Sequence, residues 1–514
     1  MTKWILFLCV TSLLCTCDAY KVLVVFSMPG KSHSILGYGI VKHLLKRGHE
    51  VTYITPFPVD NADPKLKQID VSSNIDILPK TSLNLNVILE GKVPKVDHGG
   101  IHLVMNAVEM NTYNNENVSR LINDPKQKFD IVIAEWMFTE ICASYAAIFN
   151  APLIWVSSIQ THWMVTRLID EALHPAYNTD VVGRNIPPFN FFQRVQNLWI
   201  LLRTLYQVKN SGQEDFYNIA VVPVIEKRGL VPPTFEDVQF NGSLVLSNSH
   251  LSYAPAVRLP QNYKTVGGFH VEEKVEPLPE DLKKVLDSAS TGVIYFSMGS
   301  NLKSKEMPDR LRKSLIKLFS GLKYTVIWKF EEEFSGLPKN IHVVKWAPQQ
   351  SILAHPNCVL FITHGGLLST IESVHFGVPI ITIPVFADQF MNAERSARVG
   401  FGKIVYLSYT MADDLKVAIE EIFSNPRYKE IAKETSLIYH DRPVSPGAEL
   451  VHWVEHVVKT RGALHLRSPA LQMPLYQKLY LDLLTVVLVL LIVIYKIVRC
   501  LFSRISVTSN KKTN

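Results

Sequence analysis

Short apolar runs that do not alternate with polar residues constrain this chain most. The first is Lys21-Val-Leu-Val-Val-Phe26. Val51-Thr-Tyr-Ile-Thr55, Ile131-Val-Ile-Ala134, Pro152-Leu-Ile-Trp-Val156 and Leu244-Val-Leu246 follow. A strand with one wet face reads apolar and polar in turn, so runs apolar throughout predict strands buried on both faces, as in a parallel sheet flanked by helices. Helical patterns lie between them, beginning with Ser34 to Lys46, where His33 sits in the loop just before the helix. The stretches Leu83–Asn123 and Thr161–Lys227 are helical, rich in aromatics and longer than a minimal doubly wound domain needs.

A second series of such runs starts after Val266-Gly-Gly-Phe-His-Val-Glu-Glu-Lys-Val-Glu-Pro-Leu-Pro279, whose Gly, Pro and charges read as a linker. It comprises Val293–Ser297, Tyr324–Trp328, Ile341–Val344, Val359–Thr363 and Pro379–Ile383, with a helix near Pro308–Leu322. The expectation is α/β architecture with two Rossmann-like domains facing a cleft, ligands binding at the carboxyl ends of the strands. The boundaries are 20–265 for the first domain, 266–290 for the linker, 291–435 for the second domain and 436–478 for C-terminal return helices.

Both ends are apolar. Lys3 precedes the run Trp4–Leu14, and Cys17-Asp18-Ala19 provides small residues for a cut before Tyr20, so residues 1–19 read as a secretory signal peptide. Residues 479–498 are apolar apart from Asp482, Thr485, two Tyr and Lys496, and twenty helical residues span the ~30 Å hydrocarbon core. Beyond Tyr495 come Lys496, Arg499, Arg504, Lys511 and Lys512 without an acid, which predicts a cytosolic tail at 499–514 and a lumenal body. Those five cations supply most of the net charge of +7, so no basic face for nucleic acid is indicated. Lys511 and Lys512 match the spacing of a dilysine retrieval signal for the endoplasmic reticulum membrane.

Of six Cys, only Cys142 and Cys358 lie in the predicted lumenal body, which gives neither a disulfide framework nor zinc spacing; whether the two pair is left open. Asn117-Val-Ser119 and Asn241-Gly-Ser243 are candidate glycosylation sites. Gly30-Lys31-Ser32 lacks the first glycine of a phosphate loop, Gly37-Tyr-Gly39 lacks the third of a dinucleotide fingerprint, and Glu372-Ser-Val-His375 has no second copy to share a metal. No metal site is expected.

The informative region is Trp346 to Gln389. Trp346-Ala-Pro-Gln349, His355-Pro356, Phe361-Ile-Thr-His-Gly-Gly366, Glu372, Gly377-Val-Pro379 and Asp388-Gln389 follow in order. The set resembles the donor signature of the UDP-glycosyltransferases, and the family's layout of leader, two halves, span and basic tail covers nearly the whole chain. The resemblance implies the two-domain GT-B fold and no cofactor beyond the UDP-sugar. Independently, His364-Gly-Gly366 ends a strand and opens a helix near Leu368, where free N–H groups attract phosphate. His364, Gly366 and Ser369 are placed near the diphosphate, and the resemblance adds Ser300, which matches a family position near the phosphates. Glu372 is assigned to the ribose hydroxyls, Trp346 and Gln349 to uracil, and Asp388 and Gln389 to the sugar.

His33 matches the family's catalytic histidine, a group able to take a proton from an acceptor hydroxyl. Where relatives carry its Asp partner, this chain has Glu135, which keeps the charge and adds a methylene; where many carry Asn four residues after the signature His, it has Leu368. His43, His49 and His102 read as structural. The implied activity is inverting transfer of a hexose from a UDP-sugar to a small lipophilic hydroxyl compound. Glucose is the expected sugar, since His364-Gly-Gly-Leu-Leu-Ser-Thr370 resembles insect members; glucuronic acid is the alternative. A catalytically weak carrier of lipophilic ligands and a UDP-sugar epimerase are the rival readings. A homo-oligomer is allowed.

Overall fold

The computed structural model describes residues 19–60, 63–78, 84–92, 97–181, 183, 185, 187–300, 302, 304–332, 334 and 336–510, excepting the side chains of 503–510. The expected leader, all but Ala19, and the Lys511-Lys512 pair lie outside the described residues.

Two parallel sheets form the body. The first contains β1 (Lys21–Val25), β2 (Glu50–Thr55), β3 (Leu66–Asp70), β4 (Ile131–Trp136), β5 (Leu153–Ser157), β6 (Gly242–Ser247) and β7 (Tyr263–Thr265), in the order β3-β2-β1-β4-β5-β6-β7. The second contains β8 (Val293–Ser297), β9 (Thr325–Lys329), β10 (Ile341–Val344), β11 (Cys358–Thr363), β12 (Ile380–Thr382) and β13 (Gly402–Ile404), in the order β10-β9-β8-β11-β12-β13. Each sheet reverses its winding once, between β1 and β4 and between β8 and β11. A crevice opens at the carboxyl ends of strands at such a point.

The runs do not alternate because both faces of each sheet are covered. In β1, Leu23 and Val25 join one buried cluster and Val22 and Val24 the other. In β8, Ile294 and Phe296 face one cluster, Val293 and Tyr295 the second. The principal helices are α1 (Lys31–Arg47), α2 (His98–Asn114), α3 (Phe191–Lys209), α4 (Asp309–Ser320), α5 (Leu367–Phe376), α6 (Gln389–Val399), α7 (Met411–Ser424), α8 (Arg427–His440), α9 (Pro446–Lys459) and α10 (Leu481–Asn510). Leu450, Val451, Val454 and Val457 of α9 share a core with Leu36, Ile40, Val41 and Leu44 of α1, so the chain returns to the first sheet after completing the second.

Three expectations change. His33 is in the first turn of α1, which starts at Lys31 rather than near Ser34, because nothing in Lys31-Ser-His disfavours helix after the extended Gly30. The segment read as linker, 266–290, is not loop throughout: Glu280–Ser288 is a helix whose Leu282 and Leu286 are buried with the second sheet. The terminal helix does not stop at 498, since no Gly or Pro interrupts 479–510. Its segment Leu481–Phe502, 22 residues, is long and apolar enough to cross a membrane. Residues from Arg467 onward form a compact unit separate from the body.

Candidate functional site

Each switch point carries a histidine. In the first sheet, β1 leads through Gly30 into α1, and β4 carries Glu135 next to its last residue. Pairing of β1 with β4 brings these ends together, and His33 Nδ1 lies 2.5 Å from Glu135 Oε1. The carboxylate accepts, so Nδ1 keeps the N–H and Nε2 is the atom left to take a proton. Burial opposes the charged imidazole, but the charge and hydrogen bond of Glu135, reinforced by Asp388 from the second domain, outweigh it and raise the His33 pKa above 6.5. Glu135 itself is buried, and its Oε2 has no hydrogen-bond partner within the protein.

In the second sheet, β11 ends at Thr363 and delivers His364-Gly365-Gly366 to the start of α5. The ring is wedged between backbones: a Cβ on Gly299 would fall 2.5 Å from His364 Cε1, and one on Gly366 2.5 Å from Nε2. Gly299 and Gly365 also have φ of +82° and +83°, open to glycine at little cost. Gly366 is extended and offers no side-chain cap, so the first N–H groups of α5 are left for a ligand. Ser300 follows Gly299 on the loop after β8. Burial, and secondarily the Lys329 charge, push the His364 pKa down to about 4, which keeps this imidazole neutral.

Gln349, Ser369 and Glu372 form one hydrogen-bonded group. Gln349 Nε2 donates to Ser369 Oγ (3.0 Å) and to Glu372 Oε2, Gln350 Nε2 donates to Glu372 Oε1 (3.0 Å), and Tyr295 donates to Gln349 Oε1 (3.3 Å). Burial lifts the Glu372 pKa to about 7, against these donors. Gln349 is thus bonded to the carboxylate. Trp346 is 59% exposed, and the ammonium groups of Lys31 and Lys329 lie 5.1 and 5.7 Å from its ring centroid, one from each domain.

Asp388 begins α6. Its Oδ2 accepts from Asn392 Nδ2 (2.9 Å), which also donates to Gly365 O (3.0 Å) and so ties α6 to the histidine loop. Burial raises the Asp388 pKa, although Asn392 and His33 act the other way. The Gln389 oxygen accepts from Val385 and Phe386 N–H (2.9 and 3.1 Å), leaving only its amide nitrogen for a sugar. Leu368 packs against the core of the first sheet, an apolar contact between the domains.

Three residues had been passed over. Lys329 ends β9 at the ligand edge, with Nζ 2.6 Å from Gly299 O, and its position at a strand's carboxyl end was the available signal. Gln350 and Asn392 act through side-chain bonds that spacing does not reveal. Of the remaining candidates, Asn117 and Asn241 are exposed. Cys142 and Cys358 are both buried free thiols, in the cores of different sheets, so they do not pair. His43 Nε2 lies 2.8 Å from Phe269 O, and His49 Nδ1 accepts from Tyr20 N–H, both far from the dyad's chemistry. His102 is buried among Trp136 and Phe138. Among the described residues no cluster of three or more His, Cys, Asp or Glu could hold a metal ion.

Over residues 21–513 the chain matches the family described as UDP-glucoronosyl and UDP-glucosyl transferase. It is 31% identical to UDP-glucosyltransferase 2 of Dactylopius coccus across 93% of this chain and 91% of that one. Identity is 27% with mouse UDP-glucuronosyltransferase 1A1, across 92% and 90%. Among solved structures, the calicheamicin glycosyltransferase CalG4 superposes with a TM-score of 0.55 at 18% identity, covering 86% of this chain and 99% of that one, which shows the GT-B fold.

Proposed function

The chain belongs to the UDP-glucoronosyl and UDP-glucosyl transferase family, and from that premise we propose that it transfers glucose from UDP-glucose to a hydroxyl of a small lipophilic acceptor, with inversion. His33 Nε2 takes the acceptor's hydroxyl proton while Glu135 steadies the imidazolium. The acceptor oxygen attacks the anomeric carbon as the bond to the β-phosphate oxygen breaks, and UDP leaves with the electron pair. The diphosphate's charge is met by the α5 N–H groups, Ser300, His364 and Lys329, without a metal. Glu372 accepts from the ribose hydroxyls once the glutamines give way, and Asp388 holds sugar hydroxyls.

The observation that carries this reading is the His33–Glu135 pair at one switch point, close enough to Asp388 from the other domain to feel its charge. Glucose is favoured over glucuronic acid because Asp388 would repel a carboxylate. The body is assigned to the lumen of the endoplasmic reticulum, held by the α10 span. The test is His33→Ala, expected to abolish transfer to a phenolic acceptor while UDP binding stays near wild type; full activity would overturn the mechanism. Competition between UDP-glucose and UDP-glucuronic acid in one assay decides the sugar.

A further inference from the structure

The helix α3 of the first domain turns its apolar side outward. Phe191, Phe192, Val195, Trp199, Leu202 and Tyr206 fall within about 100° of its circumference. Each leaves about half or more of its surface exposed, Phe192 79% and Tyr206 72%. On the opposite side Asn197 and Thr204 are buried beside Val208, and Asn197 Nδ2 donates to Pro175 O (3.2 Å). A surface helix ordinarily points its polar residues outward. Apolar residues exposed singly need no explanation, but a continuous stripe of them marks a face that something else covers.

The charges on α3 indicate what covers it. Its 19 residues include Arg194, Arg203 and Lys209 and neither Asp nor Glu. Arg203 is held by Asp97 (2.5 Å), which also accepts from Gln207 Nε2 (3.1 Å), so the helix is fixed to the start of α2. At ~1.5 Å per residue α3 is about 28 Å long. Arg194, Gln196, Asn197 and Arg203 nevertheless interrupt its apolar character, and among the described residues only Leu481–Phe502 is apolar enough to cross a membrane. A second copy pairing through the same face would set cations against cations, with no acid on α3 to meet them. Lipid phosphates carry the complementary charge, and Trp, Tyr and Phe favour the depth between headgroups and acyl chains.

We propose that α3 lies along the surface of the bilayer that α10 crosses, with its aromatic stripe among the headgroups and upper acyl chains and with Arg194 and Lys209 on lipid phosphates. The chain is then attached twice, by a span and by a helix in the interface. The second attachment fixes which face of the first domain meets lipid, which a span alone does not. It rests on the reading of α10 as a span and is independent of the transfer reaction.

The test uses the full-length chain in phosphatidylcholine vesicles, with and without phosphatidylserine, whose lipids carry a nitroxide on the acyl chain. The fluorescent amino acid Anap replaces Trp199, Tyr206 or, as a control, Val417, an exposed apolar residue of α7 in the second domain. Emission from positions 199 and 206 is expected to be blue-shifted and quenched about threefold more than emission from 417, and more strongly with phosphatidylserine present. Phe191→Ser with Phe192→Ser is expected to reduce the quenching at 206 about twofold, with a wild-type melting temperature as the check on folding. Quenching at 199 and 206 no greater than at 417 overturns the proposal. So does a blue shift without quenching, which would mean that a second copy or another protein covers the face. Carbonate extraction tests the span separately. A chain that resists extraction while its α3 labels stay unquenched keeps the span and loses the α3 contact. A chain that carbonate releases, although its α3 labels are quenched in intact vesicles, keeps the contact and loses the α10 reading.

Discussion

His33 and His364 occupy equivalent places, each beyond a strand that flanks its sheet's switch point, yet their surroundings push them in opposite directions. Burial disfavours the imidazolium at both. At His33 a carboxylate within hydrogen-bond reach, with a second across the cleft, reverses that effect and raises the pKa. At His364 the charged neighbour is Lys329, which adds to burial and takes the pKa down to about 4. The first ring is thereby fitted to accept a proton. The second stays neutral, which suits the role of N–H donor to the diphosphate proposed for it. One residue type serves two roles because the sign of its nearest charged neighbour differs.

The largest expected effect comes from erasing that sign at His33. Glu135→Gln is expected to lower kcat by on the order of a hundredfold or more, as loss of an orienting carboxylate does. It also shifts the acid limb of the pH–rate profile. A base with a raised pKa loses activity as pH falls through a value above 6.5; with the carboxylate gone, burial dominates and the limb moves below 6.5. A limb that stays in place would separate Glu135 from the base. Lys329→Met is the counterpart on the donor side. It is expected to raise the KM for UDP-glucose about tenfold, leave kcat nearly unchanged and let the His364 pKa climb part of the way toward 6.5. An unchanged KM would remove Lys329 from the diphosphate site. The smallest effect is expected from Leu368→Asn, which restores a polar donor at the head of α5 and withdraws an apolar contact from the first sheet. Its KM for donor should fall about threefold, with a melting temperature a few degrees lower.

What the sequence disclosed follows from where the signals lie. Central strands such as β1, β4, β8 and β11 were legible because burial on both faces leaves uninterrupted apolar runs. The strand β3, Leu66-Lys-Gln-Ile-Asp70, escaped notice because an edge strand keeps polar side chains, and β7 and β13 have three residues each, too few for a pattern. The pairing of His33 with Glu135 was legible through resemblance, since 102 positions separate them and only the β1–β4 register brings them together. Lys329 was not legible, because a lysine ending a strand carries no motif.

The division between the two histidines is measured most directly by NMR titration of histidine-labelled protein, with His33→Gln and His364→Gln variants assigning the two rings. His33 should titrate above 6.5 and hold its proton on Nδ1 when neutral, and His364 should remain neutral down to about pH 4. A His33 pKa below 6.5, or a His364 that is charged at neutral pH, would contradict the assignment of base to one and neutral donor to the other.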